Sequence, residues 1–292
     1  MTTFDTQQKV DLADLIDGAA VVYSLPTLYR RLDEAINLAD SSITDIAKII
    51  SSDAGLASRL LRLANSPMYG YHSEIDSMTR AITIIGTQQL RDLTLAISVM
   101  ENFNGLPSGL INMQTFWQHS IGCGVVARVL ATFCRENNVE RFFVAGVLHD
   151  IGQLLLCTRV PDLVSQMLDI STDQGQPHYV VQNNTLGFDH GRVSGELLRC
   201  WHIPSNIVEP VSFHHFPDLS RQYPFETALL HVSDVISHAL QVGFGGEPFV
   251  PPLDQACWNY LGLPATILPS VLKEVDNQLQ ETLAILDSGG QS

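Results

Sequence analysis

The stretch FVAGVLHDIGQLLL, residues Phe143–Leu156, is the most informative segment of the chain. An apolar run ends in the doublet His149–Asp150, a glycine follows at Gly152, and the apolar character then resumes. Such runs are typical of helices in a protein core. The doublet either holds a metal or is the remnant of a metal site that now serves another purpose. Because dipeptides recur by chance, the rest of the chain has to decide between these interpretations.

Helical spacing of apolar residues extends along almost the whole chain. Leu28, Leu32 and Ile36 fall four residues apart and therefore share one face of a helix. Ser42 is a suitable N-cap for the next helix, and Gly86 is a suitable stop for a later one. No segment combines apolar–polar alternation with a hairpin turn. The sequence therefore predicts an all-α fold.

One irregular segment divides the chain into two predicted lobes. The stretch ENFNGLPSG, residues 101–109, concentrates Asn, Gly and Pro and breaks the helical pattern. We therefore expect an N-terminal helical bundle over residues 1–104. Residues 105–292 should form a second helical lobe that ends in a C-terminal helix.

The charge of the chain excludes one class of function. The 292 residues carry a formal net charge of −15, and the 16 Lys and Arg form no basic cluster. Proteins that bind nucleic acid need such cations to displace counterions from the phosphates. We therefore expect no binding to nucleic acid or to an anionic membrane surface.

The termini and the cysteines predict a soluble protein of a reducing compartment. The N-terminus lacks a signal peptide, and no run of about 18 apolar residues predicts a membrane span. The five cysteines are scattered and show no CxxC spacing, which is typical of free thiols. These features together predict a cytoplasmic location.

Five histidines and two aspartates of the second lobe are candidate metal ligands. Imidazole nitrogens and carboxylate oxygens suit zinc, manganese and iron, and a carboxylate can bridge two ions. Taken singly, each of these residues is explained as well by a cap, a helix-face acid or a buried hydrogen-bonded network. The set consists of His119, His149, Asp150, His190, His214, His215 and Asp234.

The order of these residues along the chain is more specific than any one of them. The pattern H…HD…H…HH…D resembles the HD superfamily of metal-dependent phosphohydrolases, and more closely its HDOD group of bacterial signalling output domains. Other stretches of the chain are similar to that group in the same order. They are SSDAGLASRLLRLANSPMYG (51–70), TRAITIIGTQQLRDL (79–93), FDHGRVSGELLRCWHIPSNIVEPVSFHH (188–215) and HVSDVI (231–236), so that the resemblance extends from about Leu25 to about Ala239.

The resemblance implies a two-lobed helical protein that works through protein–protein contacts, often without demonstrated catalysis. It also implies that the seven residues are metal ligands, with His149 on one metal and Asp150 bridging where two are present. One or two divalent ions of iron, manganese or zinc are the implied cofactor, although a metal-free polar network is also compatible with the pattern.

Three positions depart from the pattern of the active phosphodiesterase relatives. Gln153 stands where those relatives have a lysine that meets a substrate phosphate, and Phe216 stands where they have a glutamate. Thr115 stands where an acid would lie four residues before the first histidine. The ligands therefore match the family, whereas the groups that would handle the substrate do not.

These observations leave two functional interpretations. In the first, the protein is a catalytically inactive regulatory module that binds a signalling protein partner. In the second, it is a metal-dependent phosphohydrolase that acts on a nucleotide or a cyclic dinucleotide. We favour the first interpretation because a fixed cation beside a phosphoryl group contributes several kcal/mol to transition-state stabilisation, and Gln153 cannot supply it.

Overall fold

The computed structural model describes residues 10–22, 24–38, 40–71, 73–103 and 109–287 of the chain. Within these ranges the regular structure is helical and no strand occurs, which confirms the predicted all-α fold. The predicted lobe boundary at residues 104 and 105 lies outside the described residues, so that the division into lobes stays a prediction.

The N-terminal part of the chain is a sequence of short amphipathic helices. Ser42 caps α3 as predicted, because its hydroxyl accepts a hydrogen bond from the amide of Asp45 while the Asp45 carboxylate accepts one from the amide of Ser42. Gly86 ends α5 with a φ of 98°, a conformation that favours glycine. The helices are α1 (Leu12–Val22), α2 (Thr27–Asn37), α3 (Ile43–Ser51), α4 (Ala54–Ala64), α5 (Met78–Ile85) and α6 (Thr87–Phe103).

The second part of the chain holds the longest helices and the buried centre of the protein. They pack around α7, whose middle residues are almost all buried. The helices are α7 (Met113–Phe133), α8 (Glu140–Leu148), α9 (Ile151–Arg159), α10 (Pro161–Gln174), α11 (His178–Leu186), α12 (His190–Cys200), α13 (Ser205–Phe213), α14 (Pro224–Ala239), α15 (Gln255–Leu261) and α16 (Leu268–Asp287).

Two facing glycines allow α7 and α8 to approach closely. A Cβ atom on Gly146 would lie 2.5 Å from the Cα and the amide nitrogen of Gly124, and a Cβ on Gly124 would lie 2.7 Å from the carbonyl oxygen of Phe143. No side chain larger than hydrogen fits at either position. This close packing fixes the end of α8, where the chain turns at His149 and Asp150 before α9 begins.

The two parts of the chain are joined by buried polar contacts as well as by apolar packing. Helix α6 packs against α8. The hydroxyl of Tyr69 donates a hydrogen bond to the fully buried Glu140 at the start of α8. The backbone of α8 is therefore held from the N-terminal side as well as by α7.

Residues 140–159 are the one helical segment of the described chain that is long and apolar enough to cross a membrane. This segment comprises α8, the His149–Asp150 turn and α9, and 89% of its most apolar window is buried inside the protein. Its apolar character is accounted for by its burial in the protein core.

Candidate metal centre

The structure brings all seven predicted ligand residues together at one buried site. His119 lies in the middle of α7, His149 and Asp150 form the turn between α8 and α9, and His190 is the first residue of α12. The remaining three residues come from the turn after α13 and from α14, and all seven are at most 9% exposed. Those three are His214, His215 and Asp234.

Asp150 is the centre of one half of the site. Its Oδ1 lies 3.1 Å from Nε2 of His190, 3.2 Å from Nε2 of His149 and 3.8 Å from Nε2 of His214. In the same half of the site, Nε2 of His215 lies 2.9 Å from Nε2 of His190. Four imidazoles therefore surround one carboxylate.

Asp234 is the centre of the other half. Its Oδ1 lies 3.3 Å from Nε2 of His119, 3.5 Å from Nε2 of His149 and 3.3 Å from Nε2 of His238. His149 is common to both halves, and the Asp150 Oδ2 lies 3.7 Å from Nε2 of His119. The two carboxylates therefore share neighbours and belong to one site.

The inner atoms of the site fit a metal by an independent criterion, because they are buried and have no hydrogen-bond partner among the described residues. These atoms are Nε2 of His119, His149 and His214 and Oδ1 of Asp150 and Asp234. Buried polar atoms are almost always satisfied, and each exception needs an explanation. Ligands at metal–ligand distances of about 2.1 Å lie roughly 3.0–3.4 Å from one another. The shortest nitrogen–oxygen distances of the site, 3.1–3.3 Å, fall within that range.

The outer nitrogens of two histidines hold the rings in an orientation that suits a metal. Nδ1 of His149 lies 2.6 Å from the carbonyl oxygen of Gly146, and Nδ1 of His214 lies 2.8 Å from that of Val211. A carbonyl can only accept, so each Nδ1 carries a proton and it is Nε2 that faces the centre, where it offers a lone pair to a metal once it carries no proton.

A second layer of amides positions His190. The side-chain oxygen of Gln182 accepts hydrogen bonds from the His190 amide at 3.0 Å and from its Nδ1 at 2.7 Å. The amide nitrogen of Gln182 in turn donates to the side-chain oxygen of Gln153 at 2.6 Å, and Nε2 of Gln153 lies 3.3 Å from Nε2 of His178. Gln153 is therefore buried and engaged within the protein, and it does not project towards solvent as a substrate-binding lysine would.

Residues 243–247, which we call the strap, cover the site. The amide of Phe244 donates a hydrogen bond to the carbonyl of Thr115 at 2.8 Å, and the Glu247 carboxylate accepts one from the amide of His178 at 2.6 Å. A Cβ atom on Gly245 would lie 2.6 Å from Oδ2 of Asp150. The space enclosed between the strap and the ligands does not accommodate a water molecule.

The electrostatics of the site keep its carboxylates ionised and give its imidazoles different affinities for protons. Burial opposes ionisation of Asp150, but the charges of His149 and His190 hold its pKa well below the usual range. Burial also disfavours a charged His149, but the charges of the neighbouring Asp150 and Asp234 outweigh the effect of burial and raise the pKa of His149 to about 10. Burial and the charge of His149 lower the pKa of His214 to about 3.

Four further residues at the site were not predicted from the sequence. His238 has a sequence signal, because it lies four residues after Asp234 and therefore on the same face of α14. The other three carry no signal in their local sequence, since their roles depend on contacts between distant segments. They are His178, Gln182 and Glu247.

The remaining departures from the family pattern are explained by their places in the structure. Thr115 gives its backbone carbonyl to the strap, one turn before His119. Phe216 packs edge-on against Tyr179 at 5.6 Å, and Tyr179 stacks on His215 at 4.1 Å. An aromatic contact therefore occupies the position at which the relatives carry a glutamate.

Solved structures with the same fold come from several bacteria. The TM-score is 0.73, at 23% identity, for an HDOD domain protein of unknown function from Geobacter sulfurreducens; the alignment covers 94% of this chain and 97% of that one. It is 0.72, at 21% identity, for a Shewanella amazonensis SB2B protein proposed to be a phosphohydrolase, covering 94% and 98%. A second protein from that strain, proposed to be a metal-dependent phosphohydrolase, gives 0.69 at 19% identity, covering 94% and 96%. These similarities show a common fold.

A curated relative is also similar in sequence. An uncharacterized protein of Treponema pallidum (strain Nichols) is 22% identical over 223 residues, which is 76% of this chain and 42% of that protein. The chain therefore spans less than half the length of this relative.

The family itself is shown by a match to its sequence model. The model of the HDOD domain matches residues 22–217, which is more than half of the chain and includes six of the seven predicted ligands. Asp234 lies beyond the match but joins the same buried site. The chain therefore belongs to the HDOD family.

Proposed function

We propose that the protein is a regulatory HDOD module of bacterial signalling that binds a divalent transition metal and acts through protein contacts rather than by hydrolysis. The observation that carries the proposal is the group of five inner ligand atoms beneath the strap, which are buried and have no hydrogen-bond partner in the described part of the chain. Iron, manganese and zinc all suit this mixture of imidazole and carboxylate.

The metal is the first part of the proposal. With neutral imidazoles, a purely polar network would leave these atoms without hydrogen-bond partners, and each unsatisfied buried group costs about 1–3 kcal/mol. A divalent ion satisfies several of them at once, and the proton-bearing Nδ1 atoms of His149 and His214 already face away from it. The residues that would hold it are the seven predicted ligands, with Asp150 in the bridging position if two ions bind.

The absence of turnover is the second part. Gln153 is neutral and is engaged by Gln182 and His178, so it offers no cation to a phosphoryl group. The strap lies directly over Asp150 and leaves no space for a substrate beside the ligands. A metal at this site would therefore act as a clamp between α7, α9, α12 and α14.

The alternative is a metal-dependent phosphohydrolase, and the complete ligand set is the observation that favours it. A transition metal in such a site acts as a Lewis acid towards phosphoryl oxygens and activates water. Nucleotides or cyclic dinucleotides would be the substrates. This function requires that the strap move away from Asp150 to admit the phosphate.

Metal analysis combined with a phosphodiesterase assay tests the proposal. Tag-free protein purified without chelator should contain one or two equivalents of metal by elemental mass spectrometry, and Asp150→Ala should lose them. The metal-loaded protein should not hydrolyse bis(4-nitrophenyl) phosphate. Turnover that disappears in Asp150→Ala would establish the hydrolase instead, and absence of metal after incubation with manganese, iron or zinc would reduce the site to a polar network.

The proposal also concerns partners and location. A signalling protein should bind the module in the cytoplasm, and the net charge of −15 favours a partner with a basic face. Nucleic acid and membranes are not part of the proposal, because the chain carries few cations to bind either.

A further inference from the structure

His238 lies at the edge of the site and is absent from the family pattern described above. It is one helical turn after Asp234 on α14, its Nε2 is 3.3 Å from Oδ1 of Asp234, and its side chain is 10% exposed. Its ring centroid lies 4.3 Å from that of His119 on α7. His238 therefore faces the same carboxylate and the same imidazole as the predicted ligands do.

The ligand atoms of the site fall into overlapping groups, two of which have no residue in common. Asp150 is grouped with His190, His214 and His215, and one ligand atom from each lies within 4.8 Å of every other. His119, Asp234 and His238 form a second group by the same criterion. His119, His149 and Asp150 also meet this criterion together, so Asp150 lies between the two groups, where it can bridge two ions.

A histidine elsewhere on α14 shows what a purely structural imidazole looks like in this protein. Both ring nitrogens of His231 have backbone partners, since Nδ1 lies 2.8 Å from the carbonyl of His214 and Nε2 accepts from the amide of Asp254 at 2.9 Å. Among the described residues no hydrogen bond joins the His238 ring to a backbone group, and its Nε2 is paired with the Asp234 carboxylate. Its orientation is therefore set by the site and not by the fold around it.

We propose that His238 is a metal ligand and that, with His119 and Asp234, it forms a second metal position beside the position at Asp150. The inference rests on the proposed metal centre and adds to it the residue that completes the second position. Thr115, one turn before His119 on α7, has no carboxylate and accepts a hydrogen bond from the strap through its backbone carbonyl. His238 therefore supplies from α14 the ligand that Thr115 does not supply from α7.

Cobalt titration of the metal-free full-length protein tests the inference, since cobalt(II) reports its coordination geometry through its visible absorption. The wild-type protein should bind two equivalents. His238→Gln should bind one equivalent, or bind the second at least tenfold more weakly. The glutamine side chain can still donate a hydrogen bond to Asp234 but is a poor metal ligand. The variant therefore shows whether His238 binds the metal itself or only positions Asp234.

A second variant keeps the test informative and supplies a spectroscopic signature. His238→Cys replaces one ligand by another and should restore the second equivalent, with a new thiolate-to-cobalt charge-transfer band in the near ultraviolet. The exposed His202, changed to glutamine, is the matched control and should leave both equivalents unchanged. Circular dichroism establishes that each variant is folded.

The outcomes separate this inference from the proposed function. If His238→Gln binds two equivalents with wild-type affinity and spectrum, or if the wild-type protein binds only one, His238 is no ligand of a second position and the proposed metal centre stands. If the wild-type protein binds no metal, both proposals fail.

Discussion

The protonation of single side chains controls what the site can bind. The pKa of His149 is raised to about 10 because the charges of Asp150 and Asp234 outweigh the effect of burial, so His149 is protonated at neutral pH in the metal-free protein. His214, with a pKa lowered to about 3, is already neutral there. A metal must therefore displace a proton from His149 but none from His214.

Metal binding should accordingly become tighter as the pH rises. Between pH 6 and pH 9 the unbound His149 stays protonated, since this range lies below its pKa, and each released proton contributes about a tenfold gain in affinity per pH unit. Calorimetry of zinc binding in two buffers of different ionisation enthalpy measures the number of protons released. A release of zero at pH 7 would contradict the assignment of a charged His149.

Gln182 is the residue whose loss should weaken the centre without removing a ligand. Its side-chain oxygen fixes the ring of His190 through Nδ1 at 2.7 Å. Residues that orient metal-binding histidines typically contribute about 10- to 100-fold in metal affinity, so Gln182→Ala should weaken binding by that factor. Competition with a chromogenic chelator measures the affinity, and the exposed Gln174→Ala on α10 is the control. Equal affinities for wild-type protein and Gln182→Ala would refute this role.

The sequence predicts the inner residues of the site better than the residues around them. His149 and Asp150 adjoin one another, and the other five predicted ligands are recognised by their order along helical segments. Gln182 and Glu247 are reached only through the fold, because each contacts a residue from another segment. His238 could have been found from its spacing with Asp234, but a histidine at that spacing is common on helices whose function is structural.

The element that controls access to the site is the strap. Its backbone passes so close to the ligands that only glycine fits at position 245, where a Cβ atom would lie 2.6 Å from Oδ2 of Asp150 and 2.7 Å from Cδ2 of His119. Local sequence does not reveal this, since the glycines of residues 243–246 are typical of any loop. The close approach of the strap to the ligands depends on the positions that the fold gives to the N-terminal ends of α7 and α9.

Gly245→Ala should open the strap. Overpacking of this kind costs about 1–3 kcal/mol, which corresponds to roughly a 5- to 150-fold larger population of the open form. Extraction of bound metal by a chelator should become faster by a comparable factor. Gly109→Ala is a suitable control because no atom of the described residues lies within 4 Å of the added Cβ there. Unchanged extraction kinetics in Gly245→Ala would mean that the strap does not limit access.

At the scale of the whole molecule, the buried pair Arg128–Glu140 connects several helices. Nη1 of Arg128 on α7 lies 3.7 Å from Oε2 of Glu140 on α8, and its Nη2 donates to the side chain of Gln278 on α16 at 3.0 Å. Tyr69 reaches the same carboxylate from the N-terminal side. The amphipathic patterns predict that these helices exist, but they do not predict this contact, because a basic residue on an apolar helix gives no indication of its partner.

Changing one member of this pair should cost far more than changing both. Arg128→Met leaves Glu140 as a buried carboxylate without its cation, and breaking a buried ion pair in this way costs about 3–5 kcal/mol of unfolding free energy. Glu140→Gln removes that charge and still accepts from Tyr69, so the double variant should recover most of the loss. Urea unfolding of the four proteins at one pH gives the coupling free energy. Strictly additive losses would show that the 3.7 Å pair contributes no net interaction, and that α7 and α8 are held together by their other contacts, which include the packing at Gly124 and Gly146.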